Sequence, residues 1–346
     1  MTLPRQRPRH VDADPAAGQL SDELSEQAPG RLSDHAPDHA PDHASDRGPD
    51  HAPGRAPDRA RDQDSLSLFV ERLAGPDHRV REAALRELVG LADVQPRTRA
   101  AAVAAVCAYL RSPWTAERQG GAVPSGEPEL RRAALGLLAE RLRDPEGSAS
   151  WCGYDLDLAG AVLAGADFAG CWFTGGRVRL EGGWAIEGQV SFDGARFDGA
   201  RVSLRHWSSG QGQLSFRGAR FSAGVVSLAG AVVNAGVLSA VGAVVDGGTL
   251  ALTEVTVDGG VLDLSRIVVS AGLLTLSDAR LNAGQVLLRD ARMTGGRTAL
   301  RNVRSAPRVL ETHGALVRPG TVDVEGSFEA DLNLPPPSQR DHAIPR

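Results

Sequence analysis

"GLLTLSDARLNAGQVLLRDARMTGG" spans Gly272 to Gly296, and its glycines at 272, 284 and 296 fall twelve residues apart. Leu274 and Leu276 of the first block answer to Val286 and Leu288 of the second. Ala279 answers to Ala291, and Leu281 to Met293. Within each block apolar and other residues alternate, which is the period of an extended strand with one face inward. A chain that rewrites one short block builds a stack, because each copy buries its apolar face only against its neighbours.

The register extends far beyond this stretch. Blocks beginning at 176, 188, 200, 212, 224, 236, 248, 260, 272, 284 and 296 align, and a worn copy continues at 308 and 320. Position 1 is Gly except Ala200, position 3 is Val or Leu except Thr298, and position 5 is Leu or Phe except Ala240. Position 8 is mainly Ala, Val or Ile, and position 10 mainly Val, Phe, Leu or Met. These four apolar positions are expected to point inward. Two blocks are needed to enclose a core, so one coil should take about 24 residues. Side chains stacked in a column should then repeat every 24. Arg177 with Arg201, Gln189 with Gln213, Arg196 with Arg220, Phe192 with Phe216 and Phe197 with Phe221 do so. The alternation fades after about 224. Thirteen such blocks would stack to a height of about 30 Å.

Upstream the period shortens to five. "YDLDLAGAVLAGADFAGCWF" from Tyr154 carries small-x-large pairs at Ala161/Leu163, Ala166/Phe168 and Cys171/Phe173. Before it, residues 65–145 read as an all-α region. Leu66, Phe69, Val70 and Leu73 lie at helical spacing, as do Val80, Ala84, Leu85, Leu88 and Leu91, then Val103, Val106, Tyr109 and Leu110, then Leu130, Ala134, Leu137, Leu138 and Leu142. Residues 1–62 carry "DHAPDHAPDHASDRGPDHAP", with almost nothing to bury and prolines that break helices, and are expected to be a disordered tail. Its histidines at 35, 39, 43 and 51 would share a helix face only if Pro37 and Pro41 allowed a helix, so no metal site is assigned. Residues 332–346 form a Pro-rich C-terminal tail, leaving 152–331 for the coil.

The matching stretches "VREAALRELVGLA", "VAAVCAYLRSPW", "LRRAALGLLAERL", "WCGYDLDLAGAVLAGADFAGC" and "VSFDGARFDGARVSL" resemble the pentapeptide-repeat proteins of actinomycetes over about 77–331. The resemblance implies an α+β chain: a short helical region followed by a right-handed quadrilateral β-helix. It implies no particular activity. Many members carry N-terminal membrane helices, where this chain has its Asp-His-Ala-Pro tail.

The totals narrow the function. The chain has 346 residues and a formal net charge of −5, which favours neither nucleic acid nor anionic membrane. All its basic residues are Arg. The three cysteines, Cys107, Cys152 and Cys171, suggest a reducing compartment without a disulfide framework, and no apolar run is long enough to span a bilayer, so a cytoplasmic protein is expected. No catalytic, cofactor or metal-binding residue is assigned. His206 beside Trp207 marks a defect in the repeat and not a general base, and corner residues such as Asp193, Asp246 and Asp278 fit turn chemistry.

Two sets of outward residues are candidate contacts. An aliphatic set, Val225, Val232, Val237, Val244, Val261, Val268 and Leu273, is expected to form one covered face that takes a protein partner or a second copy. A basic set comprises Arg280, Arg289, Arg292, Arg297, Arg301 and Arg304. The leading reading is a non-enzymatic scaffold or protein-interaction module. The alternative is a modulator of a DNA topoisomerase by mimicry of the duplex, which requires acidic ladders. Between 176 and 307 there are 14 Arg against 10 Asp and Glu, which disfavours mimicry, while the Arg set could touch an acidic partner.

Overall fold

The computed structural model describes residues 55–113, 126–163, 165–183, 188–306 and 309–325, with side chains described from Asp64 to Val324. The expected N-terminal and C-terminal tails, with the histidines at 35, 39, 43 and 51, fall almost entirely outside these residues.

Four helices come first: α1 (Arg55–Leu73), α2 (His78–Val94), α3 (Arg99–Arg111) and α4 (Glu127–Leu142). The α1 helix begins at Arg55, inside the segment expected to be unfolded to residue 62. Pro57 is tolerated there because the first turn has no N–H bonds to lose. Asp77 starts α2 by accepting hydrogen bonds from the N–H groups of Arg79 and Val80, at 2.8 and 3.3 Å. Most apolar positions read from the sequence form the contact surface: Ala84, Leu85, Leu88, Val103, Val106, Leu110, Leu130, Ala134 and Leu138 are all buried, whereas Val70 and Val80, expected on the same faces, are exposed.

A parallel β-solenoid follows, with 24 residues per coil. Each long strand bends at a corner and so serves two faces. Arg196–Ser203, Arg220–Ser227, Val244–Ala251 and Val268–Thr275 lie on one side, in an 11-stranded sheet. Thr256–Asp263 and Arg280–Leu287 lie in an 8-stranded sheet that forms the other side. We call these sheets A and B. Each is folded at its corners, so a coil has four faces. Column partners run Trp172, Arg196, Arg220, Val244, Val268, Arg292, Leu316 along sheet A, every step being 24 residues. The same step joins Gln189, Gln213, Val237, Val261 and Gln285 along sheet B. The period therefore holds where the side-chain alternation had faded. Only the first coil is shorter, pairing Leu156 with Val178.

The inward positions are as expected. Val202, Leu204, Phe197 and Trp207 are buried, as are Leu274, Leu276, Ala279 and Leu281. Two files of phenylalanine run along the core, Phe168–Phe192–Phe216 and Phe173–Phe197–Phe221. Successive rings stack 5.0–5.1 Å apart, close to the strand spacing of about 4.8 Å. Beyond Phe221 the files continue as Ala240 and Val245, and the core is aliphatic from there.

The helices and the first coil share one hydrophobic core. Trp151 is fully buried between them, and its backbone N–H donates to the Arg141 carbonyl at 3.0 Å. The Cys171 thiol donates to the Ala139 carbonyl at 3.4 Å. The Arg143 guanidinium donates to the Ala169 and Asp167 carbonyls at 3.0 and 3.2 Å, and Arg111 pairs with Asp157. The first coil of a solenoid has an open edge, whose apolar interior and unpaired carbonyls need covering. The helical region supplies that cover.

Candidate functional site

Positions 2 and 9 of each block face outward, as expected, but the aliphatic set does not form one face. Val225, Val244, Val268 and Leu273 lie on sheet A, with Thr249 among them. Val232, Val237 and Val261 lie on sheet B, with Thr256. The reason is the coil length. Two blocks make one coil, so neighbouring blocks place the same position on different sheets. Val225 is 39% exposed and the other six are half-buried by their column neighbours.

The basic set is divided in the same way. Arg280 and Arg304 are column partners on sheet B, whereas Arg292 and Arg297 belong to sheet A. Part of the charge is taken up locally. Arg289 Nε donates to Glu311 at 2.8 Å, and Arg297 and Arg301 converge on Asp323, at 2.6 Å from Arg297 Nη2 and 2.9 Å from Arg301 Nε. Those two guanidiniums hold the Asp323 carboxyl below the usual carboxylate range. Arg280, Arg292 and Arg304 have no ionic partner among the described residues.

Sheet A shows an arrangement that the aliphatic and basic sets, taken separately, had hidden. One column reads Arg196, Arg220, Val244, Val268, Arg292, and the adjoining column Arg177, Arg201, Val225, Thr249, Leu273, Arg297. Each column thus runs through aliphatic residues or threonine between arginines, and the corner of the long strands sets the two columns on adjoining faces. Arg220 pairs with Asp246, and Arg196 lies over the Trp172 ring at 4.4 Å. Arg201, like Arg292, has no ionic partner among the described residues. Arg201 and Arg220 were visible in the sequence as evidence of the 24-residue period. Their place at one end of the two columns follows only when the columns are laid side by side.

A shallow open depression lies at one corner of sheet A, lined by Asp155, Gly176, Arg177, Gly199 and Arg201. Its carboxylate is engaged: Asp155 Oδ1 accepts the Arg177 backbone N–H at 2.7 Å. Burial pushes the Cys107 and Cys171 thiols up to about 12, leaving no thiolate to act as nucleophile or ligand near neutrality. No group of three metal-ligating side chains gathers among the described residues. His206 sits at a corner with φ 56°, and Trp207 is buried, packing where Gly183 leaves room in the coil before. The site is a large residue above a small one, as a packing defect would be.

One polar cluster is buried, and it belongs to the helices. Glu127 receives Arg131 Nε at 2.7 Å, the Tyr109 hydroxyl at 3.2 Å and the Arg81 guanidinium. Arg131 also donates to the Leu110 and Ser112 carbonyls, at 2.7 and 2.8 Å. Burial, then the neighbouring Glu127 charge, raises the Tyr109 hydroxyl pKa. The cluster fastens α2, α3 and α4 together. No helix among the described residues is long and apolar enough to cross a membrane. Comparison with known proteins finds no family model, no curated protein and no solved structure that matches the chain.

Proposed function

We propose that the protein is a non-enzymatic scaffold that binds another protein through a side of its coil, and that it is a pentapeptide-repeat protein of the actinomycete type working in the cytoplasm. The observation that carries the binding reading is the pair of outward columns on sheet A, Val244–Val268 on one side of the corner and Val225–Thr249–Leu273 on the other, each ended by arginines. An apolar centre with a polar, charged rim is the anatomy of a protein interface. A stack of hydrogen-bonded coils loses little conformational freedom on binding, so modest contact yields useful affinity. The pentapeptide assignment is supported by the buried pairs Ala161/Leu163, Ala166/Phe168 and Cys171/Phe173, and the cytoplasmic one by three free cysteines. Duplex mimicry toward a topoisomerase has no acidic ladder behind it: the outward columns of sheet A carry arginine at both ends.

The test compares partner retention by the immobilised full chain with that of two surface variants. Val225→Asp with Leu273→Asp alters sheet A, and Val237→Asp with Val261→Asp alters sheet B. Retention should fall at least tenfold for the sheet A variant alone, with unchanged thermal unfolding. Equal retention by all three proteins would refute the reading.

A further inference from the structure

We infer that two copies of the chain associate side by side, coils antiparallel, through the single face of sheet A that carries Val225, Thr249 and Leu273. The inference goes beyond the scaffold reading and leaves the adjoining Val244–Val268 column free for another protein. The charge on this face changes sign along the coil axis. Counted with both bordering corners, the coil of Asp155 and Asp157 carries −2, and the next, with Arg177, Arg179 and Glu181, carries +1. The coil of Asp198, Arg201 and Arg205 carries +1, and the coil of Val225 carries no charge. Beyond it Asp246 and Glu254 give −2, Asp278 gives −1, and Arg297 with Arg301 gives +2. Outward from the coil of Val225, each coil on one side thus matches a coil of opposite sign at the same distance on the other.

That antisymmetry selects one arrangement. A twofold axis along the strands, through the coil of Val225, runs the two coils antiparallel and sets each strand position opposite its counterpart. Val225, Ser227 and Ala229 then meet the same residues of the second copy, with no charge between them. Arg205 and His206 meet Thr253 and Glu254, once on each side of the axis. Arg205 and Glu254 are exposed and make no ion pair among the described residues. The outermost match is weaker, because Asp157 already pairs with Arg111, and Arg297 and Arg301 with Asp323. Parallel packing sets every coil against itself, like charge on like. Moving the axis one coil on, to Thr249, sets Arg201 and Arg205 against Arg297 and Arg301, which is again repulsive.

The face is large enough for a weak dimer. From the coil of Asp155 to that of Arg297 it rises about 29 Å, at about 4.8 Å per coil, and from Arg201 to His206 it spans about 17 Å, at about 3.4 Å per residue. Each copy covers about 500 Å², about 1,000 Å² in total, which is the lower limit for a specific interface. With Val225 as its most exposed aliphatic residue, the contact depends on the ion pairs around it.

Sedimentation equilibrium of the purified full chain tests this. The chain should dimerise in the micromolar range, and added salt should weaken the dimer. Arg205→Glu and Glu254→Arg should each weaken it at least tenfold, since each sets like charges face to face. The two combined in one chain should restore it, because the ion pair is then exchanged and not lost. Arginine is accepted at such a left-handed corner, as Arg266 with φ 58° shows. Val225→Asp, which sets two carboxylates together on the axis, should abolish the dimer. A chain that stays monomeric throughout the micromolar range would overturn the inference. So would a dimer indifferent to Arg205→Glu and Glu254→Arg, or one that their combination fails to restore. A monomer that still retains another protein through sheet A would leave the scaffold reading standing and remove this inference alone.

Discussion

At the residue scale, the coil rests on backbone conformations that most side chains resist. Gly272 has φ 74°, and a Cβ added there would collide with the Gly248 carbonyl oxygen of the coil before. Gly284 stands in the same relation to Gly260 on the other sheet. The glycines of the repeat are therefore sites of close backbone approach as well as of left-handed backbone. A second left-handed position escaped the sequence reading. His206, Glu254, Arg266, Asp278, Asp290 and Asn302 all have φ between 54° and 60°, each at position 7 of its block. The sequence signal was present, since Gly, Asp and Asn are common at that position, but Glu, Arg and His obscured it. The two positions predict opposite responses. Gly272→Ala should lower stability by about 2–4 kcal/mol, combining left-handed strain with a backbone clash. Arg266→Gly should raise it by up to about 1 kcal/mol, since relief of strain exceeds the added freedom of the unfolded chain. Urea unfolding of both variants checks the contrast, and equal effects of one sign would contradict it.

At the element scale, the helices were legible from their apolar spacing, while their attachment was not. Helical periodicity says which side of a helix is buried but not what covers it. Here the α4 end is covered by the first coil through Trp151, Cys171 and the Arg143 contacts with strand-edge carbonyls. The buried Glu127 cluster was also invisible, because Arg81, Glu127 and Arg131 look like surface residues of two charged helices until folding brings them together. Removing one partner from such a cluster leaves a buried charge uncompensated. Glu127→Gln should therefore cost about 3–5 kcal/mol and lower the unfolding midpoint. Because the helices cover the open edge of the coil, the variant should also speed amide exchange in the first coil around Leu156–Asp157 more than around Val268–Thr275. Uniform exchange along the coil would mean that the helices fold independently of it.

At the scale of the whole molecule, the decisive quantity is the number of residues per coil. The twelve-residue block was legible along the chain, and the 24-residue coil showed through Phe192 with Phe216 and Arg196 with Arg220. It faded after about 224 because Val and Leu replace Phe in the core, and one aliphatic resembles the next, whereas backbone pairing keeps its step regardless. The same period sorts outward residues into sheets. That is why the seven aliphatics, which look like one face when blocks are counted by twelve, separate into four on sheet A and three on sheet B. The binding columns depend on this sorting. Spin labels at Arg201→Cys and Arg297→Cys, with Cys107, Cys152 and Cys171 replaced by serine, measure the period directly by electron–electron distance. A 24-residue coil places the two backbones about 19 Å apart, and the label distance should centre near that value. A distance near about 38 Å, as a twelve-residue coil requires, would contradict the fold, the two-sheet sorting and the columns together.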